Sequence, residues 1–219
     1  MENTIIEKEF NKISKSLSKM TSLVITNIDE AIQALRDYDR NLAEKVIDND
    51  EQVNAMEVKI EKDCVIFIAT NQPVASDLRI IQSIYKISTD IERIGDQAKD
   101  ISKLILEIND NIFDSIHKKV ILMANEVKLM VSDAIRSFIN RDIKLAYDVV
   151  KRDLKIDDYY RELKENIFEK VLNDDKINKR DFMNFLFIVK YLEKMGDHAE
   201  NIANWIIYNV VGDFVKRGV

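Results

Sequence analysis

Residues 92–101, ERIGDQAKDI, return at residues 193–202 as EKMGDHAENI, so that Glu92, Gly95, Asp96, Ala98 and Ile101 meet identical residues in Glu193, Gly196, Asp197, Ala199 and Ile202. Upstream the correspondence continues. Met20, Val24, Ala31, Ile32, Asp39, Ala43, Val46, Asp50 and Ile60 face Met123, Val127, Ala134, Ile135, Asp142, Ala146, Val149, Asp153 and Leu163 at one constant spacing. The spacing shortens by two residues in the turn before residue 92. A period of about one hundred residues is too long for a stacked solenoid repeat and reads as a duplicated small domain.

Each copy has the periodicity of helices. Leu17, Met20, Val24, Ile28, Ala31 and Leu35 alternate steps of three and four, which predicts a first helix over about Thr4 to Tyr38. Val46, Val53, Ile60 and Phe67 follow at steps of seven in a second, which should stop near Thr70–Pro73 because proline lacks an amide proton and disfavours helix in the residue before it. A third starts near Ala75 or Ser76 and carries an almost unbroken heptad seam: Ile84, Ile87, Ile91, Ile94, Ala98, Ile101, Ile105 and Ile108. The expected architecture is all-α, two pseudo-symmetric three-helix bundles covering residues 1–109 and 110–219 and joined by their long helices.

Composition agrees. Four glycines and one proline leave few turns, against 46% apolar and 33% charged residues. The lone cysteine, Cys64, has no intramolecular disulfide partner and stands where the second copy has Ile167, so it reads as a reduced thiol filling the core. The N-terminus lacks a signal-peptide pattern, and apolar runs such as 65–69 fall far short of the ~20 residues of a bilayer span. A cytoplasmic protein that meets membranes only through partners is expected. With 33 Lys and Arg against 39 Asp and Glu the formal net charge is −6, which argues against nucleic acid and favours cations or basic protein patches.

Chemistry concentrates in the repeated stretch. Side chains four residues apart on a helix point nearly the same way, so Glu92, Asp96 and Asp100 form one row, and Glu193, Asp197 and Asn201 its counterpart. Heptad assignment puts both rows opposite the apolar seam. The second helix adds Asp50 and Asn54 in the first copy, Asp153 and Asp157 in the second. Carboxylate oxygens in this number suit hard cations such as magnesium, calcium, manganese or iron. The alternative is a solvated helix face, with Arg93, Lys99 and Lys103 pairing with the first row and quenching it. Gly95 and Gly196, mid-helix, each cost roughly 1 kcal/mol against alanine, which predicts something close by, a neighbouring helix or a bound ion.

Other signals are weaker. His198 does not make the Glu-x-x-His spacing of di-iron bundles and reads as a surface or packing histidine. His117 with Asp114 reads as a solvated pair between the copies, and Trp205, Tyr191 and Tyr208 as core or interface anchors. No Gly-rich phosphate loop, Ser/His/Asp set or paired-cysteine zinc motif is present in the sequence.

The segments 42–50 (LAEKVIDND), 72–79 (QPVASDLR), 90–96 (DIERIGD), 191–203 (YLEKMGDHAENIA) and 205–208 (WIIY) together resemble the PhoU family of phosphate-uptake regulators, in that family's order and over nearly the whole chain. The resemblance implies a non-enzymatic cytoplasmic negative regulator, one that represses the phosphate-starvation response when phosphate is plentiful. It implies as partners the ATPase subunit of the phosphate ABC transporter and a membrane sensor histidine kinase, and a homodimer as the working unit. Some family members bind iron or zinc clusters, which would here use Asp50, Glu92 and Asp96, extended by Asp100, in one half and Asp153, Asp157, Glu193 and Asp197 in the other. Asn54 and Asn201 depart from the acidic pattern, so occupancy is expected to be unequal. Two other readings stay open: a carboxylate-cluster metalloenzyme, which metal analysis with a turnover assay would reveal, and a metal-free helical adaptor.

Overall fold

Six helices occupy the described residues of the computed structural model, 2–108 and 114–212: α1 (Glu2–Asp37), α2 (Arg40–Asn71), α3 (Ala75–Glu107), α4 (Asp114–Asn140), α5 (Ile143–Asn173) and α6 (Lys179–Val211). The expected boundary between the copies, 109/110, and the side chain of Asp114 lie outside what is described.

The same local chemistry punctuates both copies. Tyr38 and Arg141 turn into the left-handed region, with φ of 54° and 53°. The next amide then reaches back, Asp39 N donating to the Ala34 carbonyl at 3.1 Å and Asp142 N to that of Ser137 at 2.9 Å. Such bonds close the C-termini of α1 and α4. The same aspartates open the following helices: Asp39 Oδ1 accepts from Leu42 N and Asp142 Oδ1 from Leu145 N, both at 3.1 Å. At the next turn α2 stops at Asn71, two residues ahead of Pro73, with Gln72 at φ 44°. The connection is 72–74 in the first copy and 174–178 in the second, so the turn is longer in the second copy and the two residues it lacks come out of the facing helix ends, not out of the turn as expected.

Within each half the three helices pack on one another, and the halves join where α3 lies along α6 and α1 meets α4. The stripes read from the sequence are the core: Met20, Val24, Ile84, Ile94, Met123, Val127, Phe185 and Met195 belong to one apolar cluster that runs through both bundles. Polar contacts cross the same seam. His198 Nδ1 lies 2.9 Å from Asp90 Oδ1, Arg180 is 3.1 Å from Glu107, and Lys128 pairs with Asp29. No helix among the described residues is long and apolar enough to cross a membrane.

Candidate functional site

The acidic rows do not stand on open faces. The Glu92 side chain keeps 12% of its exposure and Asp96 24%, while Glu193 and Asp197 keep 12% and 28%. Placement opposite the core seam is thus corrected, and packing gives the reason. Heptad geometry accounts for one buried seam, whereas α3 is packed by α1, α2 and α6, and α6 by α3, α4 and α5. The second helix of each copy therefore runs beside the acidic row.

In the first half α2 brings Asp50, only 5% exposed, against α3. Between them stands Lys99, whose Nζ is 2.6 Å from Asp50 Oδ2 and 2.7 Å from Asp96 Oδ1. Asn54 Nδ2 donates to the same Asp50 oxygen at 3.3 Å. Arg93 lies 3.5 Å from Glu92 and 3.6 Å from Asp96 on the outer side. Burial works against the Lys99 charge, but its hydrogen bonds to Asp50 and Asp96 outweigh that and raise its pKa. Glu92 has no such partner inside the cluster. Burial, followed by Asp96 and Glu57, pushes its carboxyl up to about 7. Asp100 does not join the group and pairs with Lys103 at 3.0 Å.

In the second half Asp157 lies within electrostatic reach of Asp197 and Glu193, and Asp153 comes up against Gly196. Asp157 is raised from the ordinary carboxylate range by burial and then by Asp197 and Glu193. Lys190 reaches Glu193 at 2.8 Å, and Lys194 reaches Asp197 at 2.6 Å and Glu193 at 3.4 Å. Lys190 also lies 5.0 Å from the centre of the Tyr160 ring, a cation–π distance. Among the described residues no three or more His, Cys, Asp and Glu side chains are grouped so as to hold a metal ion. Several of these carboxylates lean toward ammonium groups instead.

Gly95 and Gly196 exist for helix approach. A Cβ on Gly95 would stand 3.3 Å from Val53 Cγ1 of α2, and one on Gly196 3.2 Å from Ile156 Cγ2 and 3.3 Å from Asp153 Oδ1 of α5. Sequence reading missed Glu57, which continues the Asp50–Asn54 row one turn further and whose pKa is raised by burial and then by Glu61. That continuation was its available signal; the first copy alone has it, because Tyr160 stands at the matching place. His198 and Trp205 are packing residues, the first bonded to Asp90 and the second set edge-on to Tyr208 at 5.8 Å. His117 is bonded by its ring nitrogen to the Leu35 carbonyl at 2.9 Å and stacks on Tyr38, so it is a packing residue between the copies.

The family model of the PhoU domain matches residues 17–105 and again residues 120–206. The chain belongs to the PhoU family. A relative in Clostridium acetobutylicum, named a phosphate-specific transport system accessory protein PhoU homolog, is 35% identical over 213 residues, 97% of each chain. The phosphate-specific transport system accessory protein PhoU of Escherichia coli K12 is 32% identical, covering 96% of this chain and 87% of its own. The crystal structure of PhoU from Pseudomonas aeruginosa superposes with a TM-score of 0.91 at 33% identity, covering 94% of this chain and 99% of the other. The two PhoU matches fall on α1–α3 and α4–α6, the halves that carry the two carboxylate clusters.

Proposed function

We propose that this PhoU protein is a cytoplasmic accessory protein of phosphate-specific transport that represses phosphate uptake and the phosphate-starvation response. In this reading it works as an adaptor, touching the ATPase subunit of the phosphate ABC transporter on one side and a sensor histidine kinase on the other, as a homodimer. The carrying observation is the likeness over essentially the whole length of proteins named as phosphate-specific transport system accessory proteins, with both repeats matched. Exposed apolar pairs one turn apart, Phe168 with Leu172 on α5 and Met183 with Phe187 on α6, supply contact area that a protein partner would cover.

The reading includes a metal ion on the C-terminal cluster. Its donors are of the kind a hard cation takes, carboxylates, and Asp157, raised first by burial, also feels the repulsion of Asp197 and Glu193. Asp153, Asp157, Glu193 and Asp197 would hold it, and a bound ion would supply the charge that lets these oxygens stay ionised together. Lys190 and Lys194 would then swing outward from Glu193 and Asp197.

Affinity purification of the tagged protein from cells grown in high and low phosphate tests the adaptor role. Recovery of the transporter ATPase or a sensor kinase is expected; recovery of neither, under either condition and after crosslinking, contradicts it.

A further inference from the structure

The sign of charge reverses between the two halves at a sheltered position. Ala98 matches Ala199 and Asp100 matches Asn201, so Lys99 of α3 corresponds to Glu200 of α6, which is 6% exposed. Equivalent places in the two halves therefore carry residues of opposite formal charge. In the first half that charge bridges the two helices, with Nζ 2.6 Å from Asp50 on α2 and 2.7 Å from Asp96 on α3. The bridge is sheltered: the Lys99 side chain keeps 20% of its exposure and that of Asp50 keeps 7%.

We infer that Lys99 is the built-in cation of the N-terminal cluster, tethered where a metal ion would otherwise join Asp50 to Asp96, so that this half is complete without metal and metal uptake belongs to the C-terminal half. The second clause rests on the metal reading above; the first does not. An ammonium fixed to the chain itself needs no loading step and cannot be chelated away. Two oxygens of this cluster, Asp50 Oδ1 and Asn54 Oδ1, are buried without a hydrogen-bond partner. A divalent ion on Asp50 Oδ1 would have to sit beside the ammonium already bound to the other oxygen of the same carboxylate, and like charges so close in a sheltered site repel strongly. Removing one partner of such a pair leaves the others uncompensated. Asp50 and Asp96 would then face each other across α2 and α3 with Asn54 donating to Asp50 and Arg93, on the outer side, 3.6 Å from Asp96.

The test is a thermal and metal-binding cycle on the full chain, stripped with chelator, using Mn2+ alone as the probe. Lys99→Met keeps the length and removes the charge, and should lower Tm by roughly 5 °C. The same change in an Asp50→Asn/Asp96→Asn background should lower it little, since the charges that needed the lysine are gone. Added Mn2+ should return the Lys99→Met Tm toward wild type and raise uptake by about one ion per chain, while Lys99→Arg, which keeps the charge, should do neither. With Lys99 intact, Asp50→Asn/Asp96→Asn should leave Mn2+ uptake unchanged and Asp153→Asn/Asp197→Asn should abolish it. Circular dichroism confirms that each variant is helical. An unchanged Tm for Lys99→Met, an equal loss in both backgrounds, or no response of that variant to Mn2+ overturns the role of Lys99. Loss of Mn2+ on Asp50→Asn/Asp96→Asn with Lys99 intact overturns it as well. A wild type that binds no Mn2+ contradicts the metal reading of the C-terminal half, and the thermal cycle still decides on Lys99.

Discussion

Glu92 and Cys64 show how one buried position sets its own chemistry. The Glu92 carboxyl is pushed up to about 7 by burial and by Asp96 and Glu57, from an ordinary 4.5. A carboxyl whose folded pKa exceeds its unfolded one binds protons on folding between those values, so its contribution to stability falls as pH rises from about 4.5 to 7. In metal-free buffer Glu92→Gln should therefore melt above wild type at pH 8, by on the order of 2 °C, and show no advantage near pH 4.5. A pH-independent difference would place the effect elsewhere. Burial also raises the Cys64 thiol, followed by Asp63 and Glu61, to about 12. The thiolate is the reactive form, so a disulfide exchange reagent at pH 8 should leave Cys64 untouched in the native protein and modify it fully in guanidinium. Rapid labelling of the folded protein would contradict a sealed core. The match with Ile167 gave away the burial of Cys64 in advance. Nothing comparable marked the Glu92 shift, because it depends on α2 lying alongside, a tertiary fact.

Among the elements, the contact of α2 with α3 and of α5 with α6 depends on glycine. Alanine at Gly95 gains roughly 1 kcal/mol of helix propensity. Its Cβ, however, meets Val53 Cγ1 at 3.3 Å and Val24 Cγ2 at 3.6 Å, and both valines are fully buried and stiff about χ1. Crowding should win, with Gly95→Ala lowering stability by about 1 kcal/mol in urea unfolding. An increase would show that α2 yields easily. The caps act as a matched pair: Asp39→Ala and Asp142→Ala should each cost about 1 kcal/mol, and nearly the same amount as each other, because both aspartates accept the amide of the third residue on at 3.1 Å. Helix identity was legible because Ile84 to Ile108 repeats without interruption and Pro73 ends α2 on cue. The acidic face was misplaced because a heptad describes a helix with one neighbouring seam. α3 has neighbours on three sides, and Gly95 was the local sign that one of them comes very close.

Across the whole molecule the duplication was readable before any coordinates, since a constant spacing through nine matched positions outlasts coincidence, and it survives as two bundles sharing one core. Pairing of α3 with α6 was not readable in the same way. The contact of Asp90 with His198 joins residues that Tyr191 and Gln97 match in the other half, so repetition said nothing of it. The carboxylates themselves were found by spacing alone, whereas the engagement of Asp50 and Asp96 by Lys99 needed the third dimension, although Lys99 was already recognisable as a cation able to quench the row. What the molecule does follows from its family rather than from a pocket, and the most direct check is made in cells. A strain lacking this gene, grown in abundant phosphate with a reporter for a phosphate-starvation promoter, should express the reporter as strongly as a starved wild type and return to silence when the gene is supplied on a plasmid. A reporter that stays silent in the deletion strain would contradict the account.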